Sequence, residues 1–250
     1  MAVSIAQTPG YATGSGTTFP ISLPGAPTPG NLMVAIIATG YLATNPTLTG
    51  WVQAFVPSGL ASVDMAVMYR VVQAGDTAGP YTFPGNQNGY DWGAQIVELA
   101  GAGSTPSLTF SAINASWTQS TTSEPSPSLA TSAGSYANFF FSVYCASTVP
   151  TLGSPSMSAG TFDQAEISSS SVTEIVFFGY GHQLFASSGT ASSVFTAAGC
   201  SAIANSTQTT AVLVVAQAVV GGTTGNGASV SVIGNNGEVP PMYPIPPGFA

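Results

Sequence analysis

The chain is 250 residues long and carries nine carboxylates, one histidine, no lysine and a single cation, Arg70, for a formal net charge of −8. Nucleic-acid surfaces are bound mainly through Lys and Arg that displace counterions, anionic lipid attracts the same groups, and phosphoryl-transfer sites clamp substrate with them. The composition speaks against all three roles, and a Schiff-base lysine is excluded.

Membrane-spanning and disordered classes fit no better. The longest apolar runs, "NLMVAIIATGYLA" (31–43) and "TAVLVVAQAVVGG" (210–222), are shorter than the ~20 residues a spanning helix needs. No basic segment precedes an apolar stretch at Met1, so no signal peptide is evident. At 44% hydrophobic residues the chain is rich enough to pack a core. Neutral Ser, Thr, Asn and Gln are left to carry its solubility.

Gly, Pro, Ser and Thr recur every 8–12 residues or so, the punctuation of an all-β sandwich or barrel. The first strong element is "LMVAIIA" (32–38), nearly continuous in apolar residues, as a strand covered on both faces should be. Next comes "DMAVMYRVV" (64–72), whose alternation puts Met65, Val67, Tyr69 and Val71 on one face and Ala66, Met68, Arg70 and Val72 on the other. The second face is too apolar for open solvent, so Arg70 is expected at a covered surface, ion-paired with a carboxylate such as Glu98 on a neighbouring strand. The half closes on "AQIVELAG" (94–101).

The second half follows the same order. "NFFFSVYCA" (138–146) is its continuous strand, "FGYGHQLF" (178–185) its tyrosine strand, and "AVLVVAQAVVG" (211–221) its closing strand. Tyr69 precedes Phe83 by 14 residues and Tyr180 precedes Phe195 by 15. A period of about 105–115 residues is too long for a solenoid and suits two similar β halves. The expected organisation is a first β half with an N-terminal segment (1–114), a Ser/Thr/Pro-rich connector (115–132), a second β half (133–236) and a Pro-rich arm (237–250). Prolines 240, 241, 244, 246 and 247 in the arm favour polyproline II. Pro240, Pro241, Met242, Tyr243, Ile245 and Phe249 then read either as a docking arm or as a frayed terminus.

Residues able to carry chemistry are sparse. His182 is the sole histidine, no G-x-S-x-G elbow occurs, and a strand-face role suits it better than a nucleophilic triad. One histidine with Cys145 and Cys200 makes no zinc signature, and two cysteines are either a single bridge or buried thiols. Acid groups at Asp163, Glu166 and Glu174, and at Asp91 and Glu98, lack the partners that split a catalytic carboxylate pair. In "GNQNGYDWG" (85–93), Asn86, Asn88 and Asp91 depart from a calcium-loop spacing, and Asn-Gly is first a turn signal. Tyr90 and Trp92, with Trp51, form either an aromatic platform for sugar or packed core. The sequons at Asn114 and Asn205 are expected by chance in a chain this rich in Asn, Ser and Thr. No metal and no cofactor is expected.

The succession "PGNLMVAIIATG", "LTGWVQAFVPSG", "AVMYRVVQAGDTAGPYTF" and "AQIVELAGAGSTPSL" resembles a family of β-sandwich proteins encoded by tailed phages and prophages. Gly30, Leu32, Val34, Gly50, Trp51, Tyr69, Tyr81 and Phe83 carry the resemblance, over residues 29–108 well and 120–220 more weakly. Asn31 stands where the pattern usually has Asp. The resemblance implies an antiparallel β-sandwich of jelly-roll type and a non-enzymatic structural role in a virion, as capsid decoration, head fibre or tail component. On that reading the chain forms a homo-oligomer, contacts other virion proteins, and is assembled in the host cytoplasm. The alternatives are a glycan-binding adhesin or receptor-binding module on host-surface glycan, built on Trp51, Tyr90 and Trp92, and a glycoside-active enzyme using the acids above.

Overall fold

The computed structural model describes residues 2–40, 42–55, 64–86, 90–117, 123–145, 154–171, 174–198, 206–217 and 230–232, and structural statements refer to these. They are all-β: no helix occurs among them. The strands of the first part are β1 (Ser4–Ile5), β2 (Gly10–Gly14), β3 (Thr18–Ile21), β4 (Leu32–Thr39), β5 (Val52–Phe55), β6 (Asp64–Val71), β7 (Tyr81–Pro84), β8 (Trp92–Ala100) and β9 (Ser107–Trp117). Then follow β10 (Ser123–Pro125), β11 (Leu129–Thr131), β12 (Tyr136–Cys145), β13 (Ser154–Met157), β14 (Thr161–Ser171), β15 (Glu174–Leu184), β16 (Gly189–Ala191), β17 (Val194–Ala198), β18 (Ser206–Ala216) and β19 (Val230–Val232).

Two large sheets dominate. One has the order β1-β8-β4-β6-β5, with β2 also on β8; the other runs β14-β15-β12-β18-β9-β19. Pairing is antiparallel throughout except for β19 beside β9. The sheets face each other across one core: Leu32, Val34, Val67 and Val97 from the first meet Phe110, Phe140, Phe178 and Leu213 from the second. Each such side chain contributes about 1.5–3 kcal/mol when withdrawn from water. Gly93 lets the sheets close, because a Cβ there would strike the Phe178 ring.

The outward faces are covered too. Above the first sheet, β3 pairs with β7, and Phe19, Ile21 and Phe83 pack on Met33, Ile37 and Met68. Above the second, β10-β17-β13 and β11-β16 form small sheets, with Leu129 and Ala191 packed on Phe139 and Val212. Both large sheets are therefore inner layers, which is why β4 is buried at each of its residues. The alternation read in 64–72 holds: Met65, Val67 and Tyr69 enter the core between the large sheets, and Ala66, Met68 and Val72 enter the core beneath β3 and β7.

The segment 115–132 contains β10 and β11, and Leu129 within it is buried. Strand β9 crosses position 114 and pairs with β18 in the second large sheet.

Candidate functional site

The aromatic trio is positioned by the outer layer on the first sheet. Trp51 follows Gly50, whose φ of +81° suits the turn into β5. Its ring lies edge-on to Tyr81 at 5.2 Å and to Phe83 at 5.0 Å, and the residue is 8% exposed. Trp92 opens β8, is 3% exposed and sits edge-on to Phe19 at 5.6 Å. Both indole N–H groups are buried without a hydrogen-bond partner among the described residues. Tyr90 is half-buried and its carbonyl accepts from Asn86 Nδ2 at 2.7 Å. Trp51 and Trp92 belong to one packed apolar cluster, and so little of either residue is exposed that neither offers an open ring face.

Arg70 differs from expectation. Its partner is Asp76, not Glu98: Nη2 donates to Oδ1 at 2.6 Å and Nε to Oδ2 at 3.0 Å, a bidentate pair, and Nη1 donates to the Thr49 carbonyl at 3.3 Å. The register gives the reason. Met33 on β4 stands opposite both Arg70 on β6 and Glu98 on β8, so two inter-strand spacings, about 9.6 Å, separate the pair. Gly50 lies under the guanidinium, where any Cβ would collide with Nη1.

Glu98 is buried and held by neutral donors instead. Its Oε1 accepts from the Thr28 N–H at 2.7 Å and from Asn31 Nδ2 at 2.6 Å, and its Oε2 accepts from Gln7 Nε2. Asn86 has a similar structural role: Oδ1 accepts from the Thr39 hydroxyl at 2.6 Å, and Nδ2 donates to the Gly16 and Tyr90 carbonyls. Asp91 is buried beside it, and its carbonyl accepts from the Thr39 hydroxyl at 3.0 Å. These oxygens are engaged within the protein, and no group of three metal-ligating side chains occurs among the described residues. Asn88 lies outside them.

The most elaborate polar arrangement joins the two large sheets. Asn138 on β12 donates through Nδ2 to Gln95 Oε1 on β8 at 2.8 Å and to the Tyr136 hydroxyl at 2.9 Å, and Gln95 Nε2 reaches the Tyr11 hydroxyl at 3.4 Å. The Tyr136 ring lies parallel to the imidazole of His182, with centroids 6.1 Å apart. His182 Nδ1 sits 2.7 and 2.9 Å from the Asp163 carboxylate oxygens. Burial pushes the Tyr136 phenol far above the usual tyrosine range, only partly opposed by the Asn138 bond. Burial also raises the Asp64 carboxyl, against the pull of the Leu42 N–H that it accepts. An Asp–His pair can hold or pass a proton. The imidazole meets this carboxylate and the Tyr136 ring, and the Asp163–His182 pair ties β14 to β15.

The arm residues Pro240, Pro241, Met242, Tyr243, Ile245 and Phe249 lie outside the described residues, as do Cys200 and the side chains of Cys145, Glu166 and Glu174. Comparison of the chain with protein-family models, with curated proteins and with solved structures finds no match.

The Gln95–Asn138 bridge and the Glu98 clasp were not anticipated from sequence. Their one visible signal is amide and acid side chains set inside otherwise apolar strands, Gln95 and Glu98 in "AQIVELAG" and Asn138 before "FFFSV". A polar group at a covered strand position must find a partner.

Proposed function

We propose that the chain is a structural component of a phage-like virion, a capsid decoration, head-fibre or tail protein that forms a homo-oligomer and contacts neighbouring virion proteins. The observation that carries the reading is that the residues of the virion-type pattern bear the fold rather than line a reacting site. Gly30 makes a left-handed turn at φ +88° into β4, Leu32, Val34 and Tyr69 fill the core between the large sheets, and Trp51 and Phe83 fasten the outer layer.

Two further observations support it. The sequence β8-β4-β6-β5 across the first large sheet has a counterpart in β18-β12-β15-β14 across the second, with Tyr69 and Tyr180 both in the shared core. This is the basis for reading the chain as two pseudo-repeated halves of jelly-roll type. In addition, the sole cation is neutralised internally by Asp76, so contacts with neighbours rest on backbone, hydroxyl and aromatic groups that salt screens little. The glycan-binding alternative has no such support, because Trp51 and Trp92 are packed inside.

The test is association. Purified protein is expected to sediment as a trimer or larger assembly, or to bind shells of a parent phage. A strict monomer indifferent to virion proteins would sink the reading.

A further inference from the structure

The two large sheets end, on one side of the molecule, in β5 and β19. Phe55 on β5 and Phe110 on β9 are in contact, with centroids 4.1 Å apart, and β19 lies directly outside β9 with Val232 in register with Phe110. Among the described residues β5 is paired on one side only, with β6, and Val52 at its start is 49% exposed. An unpaired strand edge that shows an apolar side chain invites a covering segment. Beside it runs an open groove of about 440 Å³ lined by Val52, Tyr69, Arg70, Val71 and Gln73. Val52, Tyr69 and Val71 make it apolar, while Asp76 and Thr49 hold the planar Arg70 guanidinium at its rim. Such a plane stacks on aromatic rings.

We propose that this groove receives the chain's own C-terminal segment, residues 238–250. In sequence the segment begins six residues after β19, and β19 lies on the side where β5 lies. From Val232 to Pro240 an extended chain reaches about 26–29 Å, whereas Phe55 to Val52 is about 10 Å along the strand. Its five prolines favour polyproline II, which leaves little backbone entropy to lose on docking, and Tyr243 and Phe249 supply rings for the Arg70 plane and the apolar floor. Tethering sets a millimolar effective concentration, which favours the chain's own segment over that of another copy. The inference does not rest on the virion reading, and its failure would leave that reading untouched.

Full-length protein carrying the photocrosslinker p-benzoylphenylalanine in place of Val52 tests it. After irradiation, denaturation and trypsin, the only Lys/Arg site, after Arg70, separates residues 1–70 from 71–250 unless a crosslink joins them. The expected product keeps monomer mass, and mass spectrometry maps the attachment to 238–250. In the double variant Tyr243→Ser, Phe249→Ser the yield falls about tenfold, equivalent to about 1.4 kcal/mol of lost anchoring. Attachment to any other segment, attachment at dimer mass to a second copy, an unchanged yield in the double variant, or no crosslink would each overturn the proposal.

Discussion

The outer faces of the two large sheets solve one problem with different chemistry. Over the first, loops and β3–β7 are clasped by buried polar side chains: Glu98 gathers Gln7, Thr28 and Asn31, and Asn86 gathers Thr39, Gly16 and Tyr90. Over the second, the cover is held by rings. Phe195 stacks on Phe141 at 4.1 Å and 13° and touches Phe162 at 5.7 Å, with the Met157 sulfur against Gly181. Hydroxyls finish the job there, Ser193 with Ala159 and Ser126, and Thr210 with the Pro125 carbonyl. The contrast teaches that a chain almost without cations can still bury a carboxylate, provided amide and backbone N–H groups supply the donors.

Loss of the central ring should therefore damage the second face most. Phe195→Ala is expected to cost about 3–5 kcal/mol in denaturant unfolding, since the stacked ring has no substitute. Glu98→Gln tests the clasp on the first face: its NH₂ would confront donors that now meet a carboxylate, at a cost of about 2 kcal/mol. If Glu98→Gln is silent while Phe195→Ala is severe, the clasp is ornament and the comparison fails.

Two smaller effects follow pH. The Tyr136 phenol is raised by burial, so its contribution is fully present below the usual tyrosine value of about 10 and is lost as pH climbs through the raised one. Tyr136→Phe should lose about 1 kcal/mol at neutral pH, with the Asn138 bond, yet unfold less readily in alkali; parallel urea titrations at both pH values measure this. Asp64 carries the smallest prediction. Its carboxyl is also raised, so its contribution is present below the usual carboxylate range and is lost as pH rises through the raised value. Asp64→Asn keeps an acceptor for the Leu42 N–H and is expected to melt slightly higher at neutral pH, the gap closing in acid.

The strands themselves were legible because alternation and continuity are local signals, as in Met65/Val67/Tyr69 against Ala66/Met68 and in the apolar run of β4 from Leu32 to Ala38. Lateral order is not local. Arg70 and Glu98 both lie on the outward face of the first sheet, but β4 and its Met33 stand between them, and Asp76, only six residues along the chain, wins the cation. The Glu98 clasp joins residues 67 to 91 positions apart, beyond any pattern in sequence. Trp51 and Trp92 read either as an aromatic platform or as packed core, and nothing in their spacing says that they turn inward. The short β10 and β11 were hidden for another reason: three residues each, amid Ser and Pro, leave too little periodicity to see.

The central claim, a self-associating scaffold whose contacts use neutral surfaces, is tested most directly by sedimentation at about 0.1 M and about 1 M salt, where the screening length falls from about 10 Å to about 3 Å. The account predicts the same oligomer at both. A monomer throughout, or an assembly that dissolves as salt rises, would contradict it.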